Sequence, residues 1–158
     1  MTMRVTVDEF IKLPDPASGH LELHNGEVVS VPPRTHAHAK LQQALFELMP
    51  STKGKGFFII EFPFQAAGRD FRQADLAFVR EERADVSGPW LEGAPDWVIE
   101  VLSPSNTISE MTQKIEVCMA NGCQNFWLID PKSKIVSVTE GDLTRRYRSG
   151  AINGKYSR

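Results

Sequence analysis

Apolar residues along this chain recur with two periods, and each change of period marks the end of one element and the start of another. Over residues 20–31 they alternate on either side of Asn25-Gly26, a pair that favours the tight turn of a β-hairpin. With Asn25 and Gly26 as the loop, His24 stands opposite Glu27 and Glu22 opposite Val29. Glu22, His24 and Glu27 then share one face, and Leu21, Leu23, Val28 and Ser30 the other. An acidic face of this kind is expected to be solvated, its functional alternative being to lend a carboxylate to a metal site. Pro32-Pro33 stops the hairpin, and Thr35 can cap a helix over residues 36–49. In it Ala37, Leu41, Ala44, Leu45 and Leu48 have the spacing of one buried stripe.

Dense aromatic and β-branched residues predict strands over 57–62, 72–79, 97–102 and 126–130. Between the last two, Ser103-Pro104-Ser105 breaks the chain, and Thr107-Ile108-Ser109-Glu110 fits a capping box. The helix that follows carries Ile108, Met111, Ile115, Cys118 and Met119 at helical spacing and ends at Asn121-Gly122. Residues 7–13 read as a short helix begun by Thr6 or Asp8 and ended by Pro14, Pro16 and Gly19. Residues 80–94 read as a connector whose Trp90 packs down. Residues 134–138 return as a hairpin after Pro131. From Asp142 onward the chain is basic, with Arg145, Arg146, Arg148, Lys155 and Arg158 expected in a solvated terminus able to touch phosphates.

This order of elements is that of an α/β (α+β) chain. Its 158 residues fit one domain large enough to bury a core without disulfides or structural zinc. A net charge of −2 excludes binding to nucleic acid through overall basicity, so any basic contact is local, at Lys53, Lys55, Arg69, Arg72 and the tail. Cys118 and Cys123 match no metal-binding spacing and are expected to be inert reduced thiols. Without a membrane-length apolar run or a signal pattern, the expected protein is cytoplasmic, with no membrane partner. His36 and His38 lie two apart on a helix and point different ways, so they are expected at the surface or the cap.

Two strands carry an acid where burial is expected. Glu100 interrupts Trp97-Val98-Ile99-Glu100-Val101-Leu102, and Asp75 interrupts the run over 72–79. An unpaired charge in such a strand costs on the order of several kcal/mol, so each acid must be paired, neutralised or bound to a metal. Glu61, in the run that ends at Pro63, reads as an edge-strand charge. Lys114, one turn beyond Glu110, reads as its surface ion-pair partner or as the cation of a site. Two strand carboxylates followed by a lysine are the parts that metal-assisted phosphodiester hydrolysis requires. Mg²⁺ takes oxygen ligands and keeps several waters, and a lysine can orient water and offset transition-state charge.

The wording of the segments carries this further. Glu22-Leu23-His24-Asn25-Gly26-Glu27, Gln73-Ala74-Asp75-Leu76-Ala77, Pro95-Asp96 with Trp97 to Ser105, Lys114, and Phe126-Trp127-Leu128-Ile129-Asp130-Pro131 together resemble a large bacterial family of restriction-endonuclease-like proteins, the Uma-type endonucleases. The resemblance covers roughly residues 8–140. That family looks like a branch of the PD-(D/E)XK nucleases in which the lysine has moved from the strand to the following helix. The resemblance implies a restriction-endonuclease-like core, a mixed sheet flanked by helices in the order αβββαβ with an N-terminal hairpin.

It also implies a site: Asp75 and Glu100 as metal-binding acids, Val101 lending its carbonyl, Lys114 as the migrated lysine, and Glu22 and Glu27 as supporting acids. Mg²⁺ or Mn²⁺ is the implied cofactor, DNA the implied substrate and a homodimer the implied assembly. Ala74 departs from the proline usual before the first acid, Glu110 from a usual aspartate, and Cys118 from a common tyrosine. The alternatives are a silent nuclease-fold protein that binds DNA or a protein partner, and a structural protein whose acids are merely salt-bridged.

Overall fold

The computed structural model describes residues 4–84 and 88–148, so Lys155 and Arg158 of the basic tail lie outside it. The elements are α1 (Val7–Phe10), β1 (His20–His24), β2 (Glu27–Val31), α2 (His36–Leu48), β3 (Gly56–Ala67), β4 (Asp70–Arg80), α3 (Glu81–Ala84), β5 (Leu91–Glu92), β6 (Trp97–Val101), α4 (Ile108–Ala120), β7 (Asn125–Asp130), β8 (Ile135–Glu140) and β9 (Leu143–Tyr147). No described helix is long and apolar enough to cross a membrane.

Local chemistry sets most of the boundaries. Thr6 caps α1 with a reciprocal bond from Glu9, and Thr107 caps α4 in the same way with Glu110. Asn25 and Gly26 both take positive φ, 49° and 88°, which gives the hairpin turn its twist, and β1 pairs with β2 in the predicted register of His24 on Glu27 and Glu22 on Val29. At the end of α4 it is Gly122, φ 107°, that turns the chain, letting the Cys123 N–H bond the Cys118 carbonyl across the helix end.

The strands form one mixed sheet in the order β2-β1-β4-β6-β7-β8-β9, with β3 on β4 and β5 on β3. β6 and β7 are parallel and joined through α4, the antiparallel β8 and β9 complete that side, and a two-residue parallel contact ties β5 to β3. β3 follows β4 for almost its whole length, while β1 meets β4 only at Phe71 and β6 meets it at Leu76 to Phe78. The stretch of β4 between those two contacts, Arg72 to Asp75, is therefore left without a strand partner from β1 or β6. The β3 register also passes over Glu61, which lies opposite Asp75 with φ 57°. A glutamate in that left-handed region costs about 1–3 kcal/mol. The ladder opens at the first acid.

Two helices cover the sheet. Against α4, through its Cys118, lie Ala77, Val79, Val98 and Phe126, and against α2 lie Leu76, Phe78, Trp97, Ile99 and Ile129. Strand alternation thus puts Val98 on one face of β6 and Trp97 and Ile99 on the other. A third cluster of Val7, Phe10 and Leu23 fixes the hairpin to α1, and Trp90 packs on Phe71 with ring centroids 5.4 Å apart. The connector is not featureless, however: α3 and β5 form in it, and Asp96, fully buried, takes Arg80 at 2.8 Å and Arg83 at 3.1 Å.

Three expectations need correction. The buried stripe of α2 is His38, Leu41, Gln42, Leu45 and Met49, while Leu48 is 77% exposed and Ala37 and Ala44 face out. In α4 Ile108 is 88% exposed and Lys114 takes a buried place beside Met111 and Cys118. Both helices are rotated so that polar side chains, His38 and Gln42 of α2 and Lys114 of α4, meet the opened ladder. The start of the basic tail is also more than a solvated terminus, because Arg145 and Arg146 belong to β9, in register with Val138 and Ser137.

Phe126→Ala, which empties a fully buried position, is expected to cost about 3–5 kcal/mol in urea unfolding. Leu48→Ala is expected to cost less than about 0.5 kcal/mol, where the predicted stripe would have required several times more.

Candidate metal and nuclease site

Buried backbone groups must find partners, and around the opening in β4 side chains supply them. The Gln73 N–H donates to Glu22 Oε1 at 3.1 Å, and the Gln73 carbonyl accepts from Lys114 Nζ at 2.8 Å. The Asp75 N–H donates to Glu100 Oε1 at 3.1 Å, and its carbonyl accepts from Gln42 Nε2. Across the gap, the Val101 N–H donates to Asp75 Oδ2 at 2.8 Å. The carboxylates thus stand in for missing strand pairing, which is why two strands of the core can carry acids.

Glu100 shares the face of Val98 and so meets α4, where Lys114 lies 2.9 Å from its Oε1. This replaces the expected surface pairing of Lys114 with Glu110, which is spent on the cap of α4. Both hydrogen bonds to Glu100 fall on Oε1. Asp75 takes Arg34 on Oδ1 at 3.1 Å and His38 on Oδ2 at 3.2 Å, and His38 also donates to the Val101 carbonyl at 3.1 Å. The second branch of the Arg34 guanidinium pairs with Glu61, whose carboxylate is half exposed, as an edge charge would be.

Asp75, Glu100, Val101 and Lys114 therefore come together, and Glu22 joins them through Gln73. Glu22 is buried rather than solvated, with His20 at 3.2 Å and His24 at 2.7 Å on its two oxygens. Glu27 is exposed at the start of β2 and is not among the residues lining the cavity. Arg72, expected in a local basic cluster, is 1% exposed and engaged with both oxygens of Asp70, so it offers no free charge to a partner. The sequence reading missed Arg34 and misplaced His38, which is buried rather than at the surface. The available signal was the i, i+4 spacing of His38 and Gln42, which puts both on the side of Leu41 and Leu45.

Charge in the site is finely divided. Burial pushes Glu100 up to about 8, the Asp75 charge adds to that, and Lys114 only partly offsets it. Burial pushes Asp75 the same way, but the His38 hydrogen bond and the Lys114 charge outweigh it, so Asp75 lies below the usual carboxylate range. Glu22 is also buried, yet Lys114, His20 and His24 hold it well below that range. Burial works against a charged Lys114, but Glu100, Glu22 and Asp75 raise its pKa above the ordinary lysine value. The Asp75 hydrogen bond raises His38 against the opposing effect of burial. The two thiols fit the inert reading, both buried and free, with Cys123 pushed up by burial to about 12.

The acids, the Val101 carbonyl and Lys114 line one cavity of about 380 Å³. Among the described residues no three His, Cys, Asp or Glu side chains are grouped closely enough to enclose an ion by themselves. Two carboxylates and a backbone carbonyl form an all-oxygen set, which suits a hard cation that retains water and does not suit zinc.

Comparison with known proteins agrees with this fold. A crystal structure of a putative nuclease belonging to DUF820 from Anabaena variabilis matches with a TM-score of 0.80 and 25% identity, over 92% of this chain and 85% of that one. No curated protein matches the chain. The model of the Uma2 family, described as a putative restriction endonuclease, matches residues 7–155 and so takes in the hairpin, both acidic strands and the lysine helix. The chain belongs to the Uma2 family.

Proposed function

We propose that this protein is a divalent-cation-dependent DNA endonuclease, a cytoplasmic homodimer whose Asp75, Glu100 and Val101 carbonyl hold Mg²⁺ or Mn²⁺. The observation that carries this reading is the meeting of two carboxylates, a backbone carbonyl and a lysine on one cavity, three of them supplied by strands that open around it. A cation held there makes a water more acidic and offsets the charge that builds on a phosphate.

The chain's own groups divide the remaining work. Lys114 stays protonated, so it serves as a fixed charge and a hydrogen-bond donor that orients water rather than as a base. Glu22 holds the Gln73 backbone and, through it, the carbonyl on which Lys114 rests. Asp75 Oδ1 and Glu100 Oε2 are the oxygens that would be open to a cation, because one is held by the half-buried Arg34 and both donors to Glu100 fall on its other oxygen, Oε1. One observation favours a second reading. Arg34, His38 and Lys114 already engage both acids, as a silent nuclease-fold protein that binds DNA or a protein partner would require.

With Mg²⁺ or Mn²⁺ the protein is expected to nick supercoiled plasmid DNA. Asp75→Asn and Glu100→Gln keep hydrogen-bond acceptors for the open ladder and should lower the rate roughly 100-fold or more. Equal nicking by wild type and Glu100→Gln sinks the nuclease reading, and a mobility shift that persists in EDTA without cleavage supports the silent one.

A second outcome concerns the metal-free protein. Between the ordinary Glu100 value of 4.5 and its folded value of about 8, the folded chain keeps a proton that the unfolded chain has lost, so stability falls as pH rises. His38, raised in the folded state, contributes in the same sense, whereas Asp75 and Glu22, both lowered, act below their ordinary carboxylate values. Thermal unfolding in EDTA is therefore expected to show a loss on the order of a few kcal/mol from about pH 5 to about pH 8. Glu100→Gln should flatten most of that slope, and an unchanged slope would refute the protonated Glu100.

A further inference from the structure

α2 does more than cover the sheet. Its two buried polar residues, His38 and Gln42, lie one turn apart, and both donate to the same residue of β4: His38 to the Asp75 carboxylate and Gln42 to the Asp75 carbonyl. His38 is shared further, because its Nε2 is 3.2 Å from Asp75 Oδ2 and 3.1 Å from the Val101 carbonyl. The carbonyl accepts only, and the ionised carboxylate accepts only, so Nε2 carries the proton and the tautomer is fixed.

With the Val101 N–H at 2.8 Å, Oδ2 receives two donors, while Oδ1 is left to the guanidinium of Arg34, another residue of the cavity wall. The orientation of the carboxylate is thereby determined. His38 Nδ1, in turn, is buried with no hydrogen-bond partner among the described residues. An apolar side chain would fill this place in the Leu41, Leu45 and Met49 stripe without that loss, so packing does not account for a histidine here.

We propose that His38 is a positioning residue of the metal site, one imidazole N–H that locks the Asp75 carboxylate and the Val101 carbonyl in a fixed relation. It turns Asp75 Oδ1 toward the cavity, and Gln42 secures the backbone beneath. This rests on the reading of Asp75, Glu100 and Val101 as metal-binding groups. Groups that orient ligands in this way set affinity by roughly 10–100-fold.

The test is Mn²⁺ titration by calorimetry of the full-length wild type, His38→Leu, His38→Gln and, as an exposed control on the same helix, His36→Leu. His38→Leu should weaken Mn²⁺ binding by about 10–100-fold, His38→Gln should restore most of it because its amide N–H can reach the same oxygens, and His36→Leu should match wild type. Equal affinity in His38→Leu and wild type overturns the inference and leaves the metal site standing. Equal loss in the leucine and glutamine variants also overturns it, since packing would then be responsible. Absence of Mn²⁺ binding in the wild type overturns the metal site itself, and the inference falls with it. Should the leucine variant not fold, the long-range imidazole ¹⁵N–¹H spectrum of metal-free wild type decides: the proton is expected on Nε2 of His38, and an Nδ1–H tautomer refutes the lock.

Discussion

A strand inside a sheet cannot leave its peptide groups unpaired, and β4 does not have a neighbour at the right place to pair them all. It passes from a single contact with β1 at Phe71 to its pairing with β6 at Leu76, and opposite Asp75 the β3 ladder skips Glu61. The groups released at Gln73 and Asp75 are met by Glu22, Lys114, Glu100 and Gln42. Each of these long polar side chains reaches in from a different element. One steric fact, a ladder that opens, thus explains why an acid from the hairpin, an acid from β6, a lysine from α4 and a glutamine from α2 converge. The candidate active site and the repair of the sheet are the same structure.

That dual role accounts for the charge distribution. Three buried carboxylates share one lysine, and the imidazoles and Arg34 are divided unequally among them. Glu22 has two histidines on its oxygens, and Asp75 has His38 and Arg34. Glu100 has Lys114 and a peptide N–H alone, both on a single oxygen. The acid with the fewest donors is the one driven to hold its proton, and its raised pKa follows from this shortage together with burial. Arg34 differs from the other cations because it also grips the half-exposed Glu61 across the kink in β3. Its link to Asp75 can open without leaving the guanidinium uncompensated.

Local patterns in the sequence carried the hairpin register and the capping box of α4, because turns and caps are decided by neighbours along the chain. Asp75 and Glu100 were legible as acids in apolar surroundings, Lys114 only as a surface partner of Glu110 or the cation of a site, and the resemblance to a family supplied the grouping. The helix faces were less legible for a definite reason. A stripe of Ala37, Leu41, Ala44, Leu45 and Leu48 and a stripe of His38, Leu41, Gln42, Leu45 and Met49 differ by a small rotation, and apolar periodicity favours the first. Only the polar surface opposite α2 selects the second, and that surface exists because β4 opens many residues away. Lys114 displaced Ile108 from the buried side of α4 on the same principle. β9 escaped notice because Leu143 to Arg146 are exposed and leave no burial pattern to read.

The same rotation bears on how the lysine of the candidate site can sit on a helix rather than a strand. A lysine on a strand adjacent to the second acid would have to be held by sheet geometry alone. In α4 it is held at three points: the capping box fixes the start of the helix, Met111 and Cys118 bury the flanking turns, and the Gln73 carbonyl receives the amine. The amine lies on Glu100 and the Gln73 carbonyl, while Glu110 Oε2 turns back to the Thr107 N–H at 2.9 Å. Cys118, small and fully buried one turn beyond Lys114, lets α4 lie close to Val98 and Phe126, which brings the lysine within reach of Glu100. The departures from the family pattern around the lysine are thus compatible with its position, since the backbone carbonyl of Gln73, which any residue at that place would offer, anchors the charge.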